Sequence, residues 1–296
     1  IPMDGLLLLD KPGGLTSSDA VLKVKRLLKR KVGHGGTLDP QATGLLLVFV
    51  GKATKIIPFF YSLEKRYIAK AKFGITTDTQ DIWGNIQSEK DASFLAKGDI
   101  EKIIPGFTGT IEQIPPMVSA LHHQGRRLYE LAREGKIVER EKRRVSIYQL
   151  ELIDFMDGKQ PEATFKTACS GGTYIRTLFF DMGEALGTGA SLSFLRRTAI
   201  GKFSIENAVT LESLKEKVKE KKIEGFITSM SDALYFMDEA VIEDAERIMD
   251  GRPVRIEGKE GLLKISTRDG IFIGIGENKN GILRPIKIIT TYNDLL

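Results

Sequence analysis

The sequence predicts an α+β fold, and three observations carry that class. Short apolar runs at Gly5–Leu9 and Leu45–Val50 read as buried strands, and Lys65–Phe73 alternates with Tyr67, Ala69, Ala71 and Phe73 on one side. Segments of helical character lie among them: Val21, Val24, Leu27 and Leu28 form one apolar stripe, Tyr174–Leu186 reads as a helix, and Leu211–Lys222 as a charged amphipathic one. Beyond about residue 235, strand-like runs alternate with turns, which predicts a small β-rich C-terminal domain.

Taken in order, the first strand stops at Lys11-Pro12-Gly13-Gly14, and Thr16-Ser17-Ser18-Asp19 offers caps for the helix that follows. Gly33-His34-Gly35-Gly36-Thr37-Leu38-Asp39-Pro40 reads as a loop, because three glycines and a proline in eight residues interrupt any regular element. Residues 112–144 hold Pro115-Pro116, His122-His123, a helix near Leu128–Glu134 and the charged run Glu139–Arg144; this long segment reads as an insertion able to close over a ligand. Val145–Leu152 and Ala163–Ala168 are strands, and Ser170-Gly171-Gly172-Thr173 opens the next helix. In the tail, strand-like runs fall at Gly251–Val254, Leu262–Ile265, Gly270–Ile275 and Ile282–Pro285.

The chain has 296 residues, 42% hydrophobic and 28% charged, a folded globular composition with room for one large domain or a large and a small one. A single cysteine, Cys169, excludes an intramolecular disulfide framework and any multi-cysteine metal cluster. No apolar run is long enough to span a bilayer and no basic segment leads into one, so a cytoplasmic location is expected. The net charge is +5, but residues 1–72 carry 13 basic and 5 acidic residues, whereas 233–296 carry 9 and 11. The densest cationic stretch, Lys23–Lys31, suits either a polyanion or solvent, and charge alone does not separate the two.

Several chemistries are missing from the sequence. Gly51-Lys52-Ala53-Thr54 has Leu46 where a Walker loop needs glycine, and Gly33-His34-Gly35 has Leu38 where a dinucleotide loop needs one. Ala168-Cys169-Ser170-Gly171-Gly172 is not a nucleophile elbow, and three histidines with one cysteine are poor material for zinc. His122 and His123 are adjacent, face apart on any regular element, and read as surface residues. No cofactor and no metal are expected.

The stretch Gly33–Leu46 is different. Its glycines let the backbone approach a large planar ligand, and Pro40 restricts Asp39 to extended conformations that fix its carboxylate direction. The string Gly33-His34-Gly35-Gly36-Thr37-Leu38-Asp39-Pro40-Gln41-Ala42-Thr43-Gly44-Leu45-Leu46 resembles the catalytic motif of the TruB family, tRNA pseudouridine synthases that modify the T-loop uridine. Lys11-Pro12-Gly13-Gly14-Leu15-Thr16-Ser17 is similar to the family's Lys-Pro motif, and Lys65-Arg66-Tyr67 to its tyrosine motif. Thr76–Asp81 with Gly84 looks like the turn that follows, and Gln113–Ala120 like the start of an RNA-clasping insertion. Gly172–Leu178 and Leu195-Arg196-Arg197 resemble the remaining motifs; order and spacing agree over roughly residues 5–200, and the tail is similar to a PUA domain.

The resemblance implies a mixed, mainly antiparallel sheet with flanking helices. It implies a catalytic domain over 1–232 with the insertion at 112–144, and a PUA-like RNA-binding domain over 233–296. It implies an isomerase, an intramolecular transferase, that converts uridine to pseudouridine at tRNA position 55 by flipping the base into a pocket. The expected partner is the T stem-loop of tRNA, with no membrane and no obligate protein partner, the enzyme acting as a monomer.

Pseudouridine formation breaks the N1–C1′ bond, turns the uracil and rejoins it through C5. An ionised carboxylate can serve as the nucleophile, and Asp39 takes that role. Whether it attacks C1′ or C6, or the reaction passes through a glycal, stays open from sequence. By resemblance, Arg176 pairs with Asp39 and favours its anionic form inside a dry pocket. Tyr67 can stack on the flipped ring and act as base or proton relay; Tyr174 and Leu195 complete the walls. His34 contacts RNA around the vacated base position, and Lys55 and Asp81 organise the surroundings.

Overall fold

The computed structural model describes residues 4–119, 121–136 and 138–290. Strand β1 (Gly5–Lys11) leads to helix α1 (Ser17–Leu28). Thr16 and Asp19 cap α1 reciprocally: the Asp19 amide donates to Thr16 Oγ1 at 3.0 Å and the Thr16 amide to Asp19 Oδ2 at 3.2 Å. Strands β2 (Val32–Gly35) and β3 (Thr43–Val50), a 3-10 helix over Gly51–Phe60, and β4 (Lys65–Phe73) follow. A hairpin of β5 (Ile75–Thr77) and β6 (Ile86–Glu89) precedes α2 (Lys97–Ile103) and β7 (Gly109–Gln113). The chain then makes an excursion through β8 (His122–His123), β9 (Arg126–Arg127) and α3 (Leu128–Arg133) before β10 (Arg143–Met156). The side chains of His122 and His123 lie outside the described residues, as do positions 291–296.

Strand β11 (Glu162–Cys169), α4 (Ile175–Ala185), β12 (Ala190–Ile200), β13 (Phe203–Ser204), α5 (Leu211–Lys219), β14 (Ile227–Thr228) and α6 (Met230–Ala233) complete the larger part. The tail adds β15 (Asp238–Ile242), α7 (Ala245–Met249), β16 (Val254–Arg255), β17 (Gly261–Thr267), β18 (Phe272–Lys279) and β19 (Ile282–Ile288).

The large sheet has ten strands in the order β14-β1-β3-β12-β4-β11-β10-β7, with β2 attached to β3 and β13 to β12. Among the described residues the β3–β12 strand pair is parallel and the other strand pairs of this sheet are antiparallel, so the sheet is mixed and mainly antiparallel. The tail forms a five-stranded sheet, β15-β17-β18-β19-β16. Its parallel β15–β17 pair was not legible, because Asp238–Ile242 carries charge at its start.

Three apolar clusters hold the large sheet. Phe73, Phe165 and Leu195 pack under Phe179 and Met182 of α4. Leu7, Leu9, Leu46 and Val48 pack against Ala20 and Val24 of α1 and Leu211 and Leu214 of α5. Leu6, Leu45, Leu47, Phe49 and Phe60 pack with Ile275 and Ile289, which seats the small sheet on the large one. Among the described residues no helix is long and apolar enough to cross a membrane.

The glycine-rich stretch expected as a loop begins as a strand. Val32–Gly35 pairs with Val50–Leu47 of β3. The glycines serve close approach here: a Cβ on Gly33 would meet Ile57 Cδ1 at 2.9 Å, and one on Gly35 the Phe49 ring at 3.0 Å. The loop starts at Gly36, whose φ of +82° is the left-handed conformation glycine tolerates.

Candidate active site

Strand β12 is shared between two partners on one edge. At Arg196 and Arg197 it pairs with Thr43 and Gly44 of β3. At Leu192 its amide and carbonyl bond instead to the turn after β5, through the Gln80 carbonyl and the Ile82 amide, both at 3.0 Å. The sheet therefore opens around Leu195, between the 36–42 loop and the 77–85 turn.

The first side of this opening is the Asp39 loop, bolted to the N-terminal segment. The Ser17 hydroxyl accepts from the Leu38 amide at 2.9 Å and donates to the Leu38 carbonyl at 3.0 Å. The Pro40 carbonyl accepts from the Gly14 amide at 2.9 Å and from Lys11 Nζ at 3.2 Å. Lys11 also donates to the carbonyls of Pro12 and Leu15, so a fully buried ammonium fixes both flanks. Burial lowers its pKa to about 8; Asp39 opposes that shift and Arg197 adds to it.

The second side comes from α4. Its N-cap residue, Tyr174, is clamped by Gln113: the Tyr174 amide donates to Oε1 at 3.0 Å and Nε2 donates to the Tyr174 carbonyl at 3.1 Å. This places Arg176, 3% exposed, against Asp39, 39% exposed. Arg176 Nε donates to Asp39 Oδ2 at 2.9 Å and Nη2 to Oδ1 at 3.2 Å. The same guanidinium donates to the Thr79 carbonyl at 2.9 Å and to the Val118 carbonyl at 2.8 Å. A two-pronged contact of this kind fixes the plane of the carboxylate, which stays partly exposed.

Tyr67 is buried on β4, directly across from Arg197 of β12, in one apolar cluster with Leu38, Ile175 and Leu195. Burial pushes its phenol up to about 12; Arg197 pulls it back through charge and hydrogen bonding, while Cys169 and Asp39 add to the rise. Tyr174 is raised too, mainly by burial, and it feels the charges of both Arg176 and Asp39. Asp81 lies in the 77–85 turn, where Oδ1 accepts from Thr79 Oγ1 at 2.7 Å and from the Trp83 amide at 3.1 Å. It thereby shapes the turn whose Thr79 carbonyl holds Arg176, and partial burial raises its pKa.

The geometry thus gathers Asp39, Arg176, Tyr67, Tyr174 and Leu195 around one opening, with Asp81 behind the turn. His34 sits half-buried on β2 opposite Val48, five residues ahead of Asp39. Lys55 does not organise this site: its exposed ammonium donates to the Ile288 carbonyl at 3.2 Å, because the Gly51–Phe60 helix turns it toward β19 of the tail. Sequence reasoning gave no individual role to Lys11 or Arg197, or to the carbonyls of Thr79 and Val118. For Arg197 the signal was present: residues 195 and 197 of a strand share a face.

This arrangement, an anchored carboxylate beside an apolar cluster with a buried tyrosine, coincides with family matches over the chain. Residues 24–175 match the TruB family pseudouridylate synthase N-terminal domain, 176–241 the tRNA pseudouridylate synthase B C-terminal domain, and 242–289 the pseudouridine synthase II TruB C-terminal model. The chain belongs to the TruB family. It is 43% identical to the tRNA pseudouridine synthase B of an Azoarcus species, over 98% of this chain and 96% of that one. It is 40% identical to the protein of that name from Clostridium kluyveri, over 97% of this chain and 99% of that one. Among solved structures, the crystal structure of a Cbf5-Nop10-Gar1 complex matches with a TM-score of 0.75 and 26% identity, covering 98% of this chain and 86% of that one. As a TruB-family member the protein is an isomerase of the pseudouridine synthase class.

Proposed function

We propose that the protein isomerises uridine 55 in the T loop of tRNA to pseudouridine, with Asp39 as the nucleophile. The observation that carries this reading is the Asp39 carboxylate gripped on both oxygens by a buried guanidinium, next to Leu38 of the apolar cluster that holds Tyr67 and Leu195. The relatives' name, tRNA pseudouridine synthase B, supports the substrate class.

The net reaction is an isomerisation, so the site's work is extraction, orientation and proton movement. A stacked loop base costs a few kcal/mol to extrude. Tyr67 receives the ring by stacking, while Tyr174 and Leu195 wall the pocket and His34 occupies RNA contacts that the base vacates. Arg176 holds the Asp39 carboxylate on both oxygens and fixes its direction. The excursion between β7 and β10 clasps the RNA, and its Val118 carbonyl bears on Arg176, so the clasp and the reacting carboxylate share one anchor. The exposed cations of α1 and its C-terminal extension meet phosphates, and none of Lys23, Lys25, Arg26, Lys29, Arg30 or Lys31 has an ion pair among the described residues. The division at 232/233 makes the tail a PUA-like RNA-binding domain, and the enzyme acts as a cytoplasmic monomer.

The test is incubation of the purified protein with an unmodified tRNA transcript and no added cofactor, followed by nucleotide-resolution mapping of pseudouridine. Modification confined to position 55 is expected; modification elsewhere with position 55 untouched contradicts the substrate assignment.

A further inference from the structure

Arg197 is among the largest fully enclosed side chains of the molecule, at 2% exposure. Its Nε donates to the Leu45 carbonyl at 2.8 Å and its Nη2 to the Gly36 carbonyl at 2.9 Å. The backbone is built around it: a Cβ on Gly44, whose φ is +105°, would lie 2.3 Å from the Arg197 carbonyl oxygen. Among the described residues no carboxylate forms an ion pair with Arg197, in contrast to neighbouring Arg196, which binds Asp10 at 2.8 Å on the other face of the strand. Two further buried cations, Lys11 and Lys65, sit close enough for Arg197 to depress both. An unneutralised charge is costly to bury, and a fold that only needed packing is served as well by an apolar side chain.

We propose that Arg197 is a positioning residue for the proton-transfer half of the reaction: it locks Tyr67 and the Gly36 turn into one frame and holds a bare positive charge beside the phenol oxygen. The proposal rests on the function given above. In the isomerisation the N1–C1′ bond breaks with its electron pair kept by the uracil; C5 of that anion then bonds to C1′, releasing whatever group held it, and leaves a ring with a hydrogen on C5 and an N1=C6 double bond. The Tyr67 oxygen, as phenolate, takes the C5 proton. The C5–H electron pair becomes the C5=C6 bond, and the N1=C6 pair moves to N1, which takes a proton from water. A phenol pushed up by burial is a poor source of phenolate at neutral pH. Of the groups facing it, Cys169 on β11 and Asp39 in the loop push further up. Lys65 on its own strand and Lys11 on β1 both have pKa values lowered to about 8, so they lose their charge over the alkaline range. The Arg197 guanidinium on β12 favours the phenolate through its charge and a hydrogen bond.

The experiment is single-turnover conversion of a T-loop RNA by the native enzyme, Arg197→Gln and Arg197→Lys across neutral to alkaline pH, with RNA made from uridine or from uridine deuterated at C5. Arg197→Gln is expected to bind RNA as the native enzyme does and to lose roughly 100-fold in rate at neutral pH, the size of a general acid–base contribution. It should recover as pH rises and show a larger deuterium effect; Arg197→Lys should restore most of the rate. A glutamine variant with an unchanged isotope effect and an unchanged pH profile overturns the proposal, whatever its rate. If that variant does not fold, 3,5-difluorotyrosine at position 67 of the otherwise native chain decides: an acidified phenol must move the profile to lower pH, and an unmoved profile overturns the role. Failure of the native enzyme to make pseudouridine at any pH contradicts the functional reading instead.

Discussion

Arg176 grips both oxygens of Asp39, one through Nε at 2.9 Å and one through Nη2 at 3.2 Å, while its remaining donors hold the carbonyls of Thr79 and Val118. One guanidinium thus joins the Asp39 loop, the 77–85 turn and the base of the excursion. A lysine supplies charge without the planar fork. Arg176→Lys is expected to lower single-turnover conversion by roughly 100-fold, by analogy with the loss of one preorganised electrostatic donor, with RNA affinity within a few-fold of native. A quench-flow series with enzyme in excess measures it.

Tyr67 separates stacking from proton transfer. Tyr67→Phe keeps the ring in the cluster with Leu38 and Leu195 and removes only the hydroxyl. RNA binding should persist while conversion falls by roughly 10²-fold or more. Tyr67→Ala should in addition destabilise the fold by about 3–5 kcal/mol, as large-to-small aromatic changes in cores do. Urea midpoints and filter binding on the two variants resolve the contributions.

Lys11 and Lys65 give a pH signature with a definite sign. Each is lowered from 10.5 to about 8 by burial. Between about pH 8 and 10.5 the unfolded chain binds more protons than the native one, so their contribution to stability rises with pH in that window and is least favourable below it. The urea stability of the native protein relative to Lys65→Met is therefore expected to increase from pH 8 to 10. A difference that stays flat with pH contradicts the burial of a charged ammonium at this position.

Lys55 is a control on the assignment of the site. Its contact is with the Ile288 carbonyl at an exposed edge. Lys55→Ala is expected to leave turnover unchanged and to cost no more than about 1 kcal/mol of stability. Steady-state kinetics and thermal denaturation check both.

Charge reversal on α1 should act on affinity alone. Lys25→Glu combined with Arg26→Glu is expected to raise the RNA Kd and flatten its salt dependence, leaving the single-turnover rate at saturation near native. Kd measured at several salt concentrations reads the slope directly.

The sequence foreshadowed the fold where periodicity is strong. Lys65–Phe73 alternates and forms β4 with those limits. Thr16 and Asp19 announced the cap of α1, and Gly33–Gly35 misled because glycine signals both turns and close strand contacts. At the site, motif resemblance singled out Asp39, Tyr67 and Arg176, three residues that the structure brings near one another. Lys55 was misplaced, since no local pattern says which way a short helix turns a lysine. The carbonyls of Thr79 and Val118 were illegible for a related reason: backbone acceptors carry no residue signature, and they meet Arg176 from positions 97 and 58 residues away.

The most direct measurement is pseudouridine mapping on one unmodified tRNA transcript treated with native enzyme or with Asp39→Asn, alongside the RNA affinity of each. Native enzyme should convert position 55 to completion, and the variant should bind equally well yet form no product over many native half-times. Product from Asp39→Asn at a rate near native would remove the carboxylate from the chemistry and contradict the account.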